Sequence, residues 1–176
     1  MALQRTSRPP VIRLFPDHAD TVLWLGHPVD YSDTSLSAQL VAALRSWELS
    51  YYESLDEEHA FRNKALARAH TAEGNRLAGL VAAEVGSGFA VEFRSYERWS
   101  RRRYFNSPLA AANPASASCF AVLCEAEQAE AAERAALAED GGLRAVAPLS
   151  GTEFEPREGR GRQQEQHAGD RWNPEQ

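Results

Sequence analysis

Between Arg98 and Phe105 the chain sets four arginines, Arg98, Arg101, Arg102 and Arg103, among Trp99, Tyr104 and Phe105. Guanidinium groups meet phosphates and aromatic rings stack on bases, so these residue types at this spacing could hold an anion or a single-stranded nucleic acid. The competing reading is a solvated arm whose arginines pair with the acidic third helix. Four arginines neutralise at most about four phosphates, a salt slope near −3.6 on a duplex. Non-specific binders usually make more contacts, and a weak or auxiliary role is all the segment supports.

A second candidate is the pair His70 and Glu73, three residues apart on a helix and therefore on neighbouring positions of one face. General acid/base catalysis would need both in a cleft beside a substrate. The competing reading is a boundary pair closing the core stripe. No nucleophile, metal set or phosphate loop accompanies the pair, so an enzyme built on it ranks last among the functional readings. Asp17, His18 and Asp20 resemble a metal loop, but no second cluster of matching spacing follows. His27, His59 and His167 fall in loops or tail without evident partners. Cys119 and Cys124, five positions apart, point about 140° from each other on a helix, which suits neither a mutual disulfide nor half a zinc site. No cofactor is implied.

Trp24, Trp47, Tyr51 and Tyr52 could line a ligand pocket, since aromatic rings give large contact area at low conformational entropy. At helical and strand spacing they also read as core. The elements that place them are legible. Val11 to Phe15 and Thr21 to Leu25 read as two short strands separated by a Pro16-led polar loop, joined as a hairpin or crossed within the sheet. Ser37 is positioned to cap a helix on which Leu40, Leu44, Trp47 and Tyr51 share one face. That helix should end near Leu55, with Phe61 anchoring the following loop. A second helix starts near Asn63 and carries Leu66, His70, Glu73, Leu77, Leu80 and Glu84 along one line, with Ala69, Val81 and Val85 beside it. Gly86 and Gly88 stop it. Phe89, Val91 and Phe93 then alternate with Ala90, Glu92 and Arg94, the period-two pattern of a strand with one buried face. The order is ββααβ, an α+β fold with a small sheet and two packed amphipathic helices.

The expected organisation is a core domain over residues 1–96, a basic and aromatic linker or arm over 97–113, an acidic Ala/Glu-rich helix over 114–140, and a weak strand followed by a disordered tail over 141–176. Asn113 and Pro114 suit the cap and first turn of the third helix. Its large apolar residues are few, Phe120, Leu123 and Leu137 among them. Such a helix is mostly solvent-facing or waits for a partner, and whether it docks on the core is left open by the sequence. The tail from Ser150 is too poor in large apolar residues to offset the entropy of ordering it.

The formal net charge is −6, concentrated over residues 113–140, where six acidic residues face one arginine. An acidic chain with a single basic knot is a poor nucleic-acid coat, because phosphate repels the remaining surface. No apolar run reaches the roughly 18 residues of a membrane span, and the N-terminus lacks a signal-like apolar segment, so a soluble cytoplasmic protein is expected. Eighteen arginines against Lys64 alone suggest the coding bias of a high-GC bacterium.

The run from Leu36 and Ser37 through Leu40, Leu44 and Trp47, the later Ala72-Glu73-Gly74 with Arg76-Leu77-Ala78, and the closing Gly88 to Phe93 resemble a widespread group of small bacterial proteins with no assigned activity. The resemblance covers residues 11–96 and brings no site residues. Small acidic α+β proteins of this kind are often immunity or antitoxin proteins. The first functional expectation is accordingly a non-catalytic interaction module of immunity, antitoxin or adaptor type. Its partner would be a protein with a basic surface, met by Glu125, Glu127, Glu130 and Glu133 with Phe120 and Leu137. The alternative is a nucleic-acid or nucleotide accessory protein using Arg98 to Phe105.

Overall fold

The computed structural model describes residues 9–97, 100–139, 145–147 and 152–154. The chain divides into two compact units, residues 1–130 and 131–176. In the first, β1 (Val11–Leu14) and β2 (Leu23–Trp24) precede α1 (Ala38–Glu53) and α2 (Lys64–Val85). Then come β3 (Ala90–Phe93), β4 (Arg103–Phe105) and α3 (Pro114–Glu139), which carries the chain into the second unit. The fold is α+β. The four strands form one mixed sheet in the order β2-β1-β3-β4, with β1 and β3 parallel at the centre and antiparallel strands at both edges. A parallel central pair needs a long crossover, and β2, α1 and α2 supply it.

Local chemistry fixes the helix ends. The Ser37 hydroxyl accepts from the Leu40 amide, and the Asn63 side chain accepts from the Leu66 amide at 2.9 Å. Both satisfy amides that the first helical turn leaves free. Asn113 does the same for α3, accepting from the Ser116 amide at 3.2 Å. Gly86, with φ +76°, ends α2 in a backbone conformation that side chains disfavour, and an added Cβ there would collide with the backbone of Ala111.

Ile12 and Leu14 alternate with exposed Arg13 along β1, so one face of the sheet is apolar. On it lie Leu40, Leu44 and Trp47 of α1 and Leu77, Val81 and Val85 of α2, with Val91 and Phe93 from β3. Phe120 of α3 is 0% exposed and meets Phe89 edge to face at 6.1 Å; Cys124 is buried one turn further on. α3 therefore contributes to the core. Its N-terminus is tied down by Asn113, whose Nδ2 donates to the Ser35 carbonyl at 2.7 Å.

Three details depart from the sequence pattern. The buried line of α2 is His70, Gly74, Leu77, Ala78, Val81, Ala82 and Val85, while Leu80 is exposed, so the true face is turned toward the small residues. All four residues of β3 are buried, Glu92 included, because the strand is central rather than at an edge. Part of the segment expected as a linker or arm is a strand, β4, paired with β3.

In the second unit, β5 (Ala145–Ala147) and β6 (Thr152–Phe154) pair antiparallel. β5 lies within the expected weak strand, and β6 falls inside the stretch expected as tail. The rest of that stretch, His167 included, lies outside the described residues. No helix among the described residues is long and apolar enough to cross a membrane.

Candidate functional site

Side chains that alternate with the core positions emerge on the other face of the sheet. Arg13 is in register with Trp24 on one side and with Glu92 on the other, and Glu92 with Tyr104, so these four form a row across all four strands. Directly opposite residues point to one face, which is why the row assembles. Trp24 stacks on Phe15 at 4.9 Å and donates its Nε1–H to the Phe15 carbonyl at 3.1 Å. Glu92 is only 9% exposed; it accepts from the Tyr104 hydroxyl at 2.7 Å and lies 3.6 Å from Arg102 Nε. The row borders a concavity of about 670 Å³ lined by Arg13, Glu92, Arg94, Tyr96, Glu97 and Arg102. Arg13 and Arg94 make no ion pair among the described residues, so the concavity offers their guanidinium groups beside two engaged carboxylates, Glu92 and Glu97.

Tyr96 separates this concavity from a second of about 690 Å³. Its ring stacks on Tyr51 at 5.1 Å and its hydroxyl donates to the Pro16 carbonyl at 2.8 Å, leaving the residue 46% exposed. Tyr51, Leu55, Phe61, Lys64, Arg68 and Tyr96 line the groove. The expected anchoring of Phe61 is realised against Tyr51, edge to face at 5.7 Å. Both concavities open where β1 and β3 end, at the carboxyl edge of the parallel pair, the usual place for a ligand surface in sheets with parallel strands. Enclosure pushes the Tyr51 and Tyr96 hydroxyls above the usual tyrosine range, so both stay neutral donors.

Behind the groove sits His70, 5% exposed. Trp47 stacks on it at 4.5 Å, and Tyr51 and Phe61 lie 5.1 and 5.4 Å away. Neither ring nitrogen has a hydrogen-bond partner among the described residues, and burial pushes the imidazole pKa down to about 4. His70 and Glu73, weighed from the sequence as a candidate acid/base pair, make no hydrogen bond or ion pair with each other. The Glu73 carboxylate is held by Arg76 at 2.6 Å on the helix surface, and that guanidinium keeps it below the usual carboxylate range. His70 is enclosed by these aromatic rings and does not line the groove.

The basic segment is divided rather than gathered. Arg102 and Tyr104 belong to the face with Glu92, whereas Arg101 and Arg103 line a different hollow with Thr71 and Asn75. Strand alternation causes this, sending successive side chains to opposite faces. The Arg103 guanidinium lies over the Phe105 ring at 5.5 Å. Arg102 pairs with Glu92 of β3, not with the acidic helix as the solvated-arm reading expects. Arg98 and Trp99 lie outside the described residues.

Of the residues expected to meet a protein partner, Phe120 is core and Glu127 is engaged: His27 Nδ1 lies 2.9 Å from its carboxylate, so His27 also has the partner its sequence context does not show. Gly26 permits the approach, since a Cβ there would strike the Glu127 carboxylate. Glu125, Glu130, Glu133 and Leu137 are exposed. Trp47 is a core residue, Trp24 belongs to the open sheet face, and Tyr51 alone of the four singled-out aromatics lines the groove beside Phe61. Among the described residues no group of three or more His, Cys, Asp or Glu is placed to hold a metal ion. The residues that sequence reasoning misses are Arg13, Arg94 and Tyr96. Arg13 and Arg94 carry a usable signal, as arginines at the outward positions of β1 and at the end of β3.

Residues 10–96 match the model of a protein family described as Serratia CdiI immunity protein-like. The interval nearly coincides with the one that carries the resemblance to small bacterial proteins. No curated protein and no solved structure matches the chain. The matched interval contains Arg13, Glu92, Arg94 and the three rings of the groove, and it ends before β4 and α3.

Proposed function

We propose that this protein is an immunity protein that binds and neutralises a CdiA toxin domain by direct contact, without catalysis of its own, in the cytoplasm. The observation that carries the reading is the family match over residues 10–96, the interval that supplies most of the open sheet face and its neighbouring groove. A concave face bearing exposed arginines and half-exposed aromatic rings has the composition of an interface core, where Arg and Tyr are enriched. His70, buried among aromatic rings and without a hydrogen-bond partner among the described residues, supports a binding role over an enzymatic one.

The contact surface of this reading is the face around Arg13, Arg94, Arg102 and Tyr96. A second surface is favoured by a specific observation: on α3, Val122 is 66% exposed near the exposed Glu125 and Glu130. That face would meet a basic patch, as the interaction module of the sequence reading requires. An auxiliary nucleic-acid role remains the third reading, weakened by the division of the arginines between two faces.

The test is to titrate the purified chain with a cognate CdiA toxin domain by calorimetry, and to assay toxin activity with and without it. One-to-one binding with stoichiometric loss of toxin activity supports immunity. A toxin domain that stays free and active in excess of this protein overturns it.

A further inference from the structure

The groove beyond Tyr96 carries information about what occupies it. Its floor is apolar and aromatic, formed by Tyr51, Phe61 and Tyr96, and His70 behind them is neutral at physiological pH. Among the described residues its lysine and arginine are Lys64 and Arg68, one helical turn apart on α2, with His59 on the same rim, and neither Lys64 nor Arg68 makes an ion pair among those residues. Glu97 reaches the same rim, but its carboxylate is held on its far side, accepting from Thr71 Oγ1 at 2.7 Å and from Ser95 Oγ at 3.3 Å. A cationic occupant of the aromatic floor would be repelled by Lys64 and Arg68. An occupant with carboxylates at its edge would be attracted, and an aromatic ring would meet the three rings in offset or edge contact.

We propose that this groove receives an aromatic side chain of the toxin domain flanked by carboxylates, with Tyr51, Phe61 and Tyr96 holding the ring and Lys64 and Arg68 meeting the acids. The proposal rests on the immunity reading and names the chemistry of the partner segment. It makes the groove the anchor site of the interface, an aromatic pocket of the kind that dominates binding energy once a partner closes it off from water. Lys64 and Arg68 act as the selectivity element, setting which sequences around that anchor are accepted.

Two measurements on the full chain test it. In the first, NMR follows the ring resonances of Tyr51, Phe61 and Tyr96 during titration with millimolar acetyl-Glu-Phe-Glu-amide or acetyl-Lys-Phe-Lys-amide. The acidic peptide should shift all three rings saturably and bind at least about tenfold more tightly than the basic one. Equal binding of the two peptides, or no ring shifts with the acidic peptide, overturns the proposal. In the second, the toxin domain is titrated against wild type and the Lys64→Glu/Arg68→Glu variant, whose changes lie on the exposed side of α2 and leave the core intact. A loss of about tenfold or more in affinity supports the groove as the anchor. Unchanged affinity removes the groove from the interface while the immunity reading stands. If wild type binds no toxin domain, the immunity reading falls and the toxin-anchor proposal with it, whatever the peptides show.

Discussion

The Glu84 carboxylate, near the end of α2, accepts hydrogen bonds from both the amide of Ser37 at 2.9 Å and its hydroxyl at 2.5 Å. The same carboxylate accepts from Asn113 Nδ2 at 3.1 Å. Ser37 caps α1 and Asn113 caps α3, so one side chain fastens the starts of two helices to the end of a third. Glu84→Ala removes three acceptor contacts and leaves both caps looser. It should cost about 1–3 kcal/mol, since hydrogen bonds to a charged group exceed neutral ones. Urea denaturation of Glu84→Ala, Ser37→Ala and the double variant measures this. The double variant should lose less than the sum of the singles, because the residues act as one unit.

His70 gives the protein a pH dependence of known sign. The unfolded chain binds a proton on this side chain near its ordinary pKa of 6.5, whereas the folded chain resists until about 4. Between those values the unfolded state holds more protons, so stability falls as pH drops from about 6.5 to about 4 and no further below that. The full span corresponds to about 3 kcal/mol at 1.36 kcal/mol per pKa unit. His70→Leu keeps an apolar side chain in the aromatic cage and cannot titrate. Denaturation midpoints from pH 8 to pH 4 should therefore decline more steeply in wild type than in the variant. Parallel curves would show that the imidazole is not sealed.

Gly74 is a close-approach position rather than a flexible one. An added Cβ would lie 2.5 Å from the Phe93 ring and 2.8 Å from Trp47. Alanine normally favours a helix interior over glycine by about 1 kcal/mol. Here overpacking against two buried rings should outweigh that gain by costing about 1–3 kcal/mol. Gly79→Ala is the control, because its Cβ would meet nothing nearer than Phe105 at 4.0 Å. The thermal midpoint should fall for Gly74→Ala and hold or rise for Gly79→Ala.

Individual positions mark where sequence reading succeeds and where it stops. Caps at Ser37 and Asn113 are legible because they are local: a short polar side chain followed by a helical stripe specifies its own partner amide. The Leu40, Leu44 and Trp47 stripe is legible for the same reason. The face of α2 is misread around Leu80 because Gly74 and Ala78 carry no hydrophobic signal, although close packing selects them there. β4 is missed because an exposed three-residue edge strand has too little alternation to show. The groove is missed as a unit because Tyr51, Phe61 and Tyr96 come from three separate segments, and only the crossover between β1 and β3 brings them together. Glu92 defeats the pattern differently: it occupies an outward position of its strand, yet the neighbouring strands and Tyr104 shield it.

Charge reversal separates the two surfaces available to a partner. Arg13 and Arg94 are exposed, make no ion pair among the described residues and lie outside the core, so Arg13→Glu/Arg94→Glu should leave the denaturation midpoint near that of wild type. On α3, Glu125→Lys/Glu130→Lys is an equivalent change at exposed positions and spares Glu127, whose partner is His27. If the toxin domain docks on the open sheet face, the arginine variant should weaken binding by about tenfold or more, and the α3 variant should stay within about threefold of wild type. The opposite ranking would place the interface on α3. Association rates in calorimetry-matched buffers at low and high salt sharpen the comparison. Removing charges at the true interface reduces the salt dependence of association, whereas reversal elsewhere alters only the long-range attraction that salt already screens.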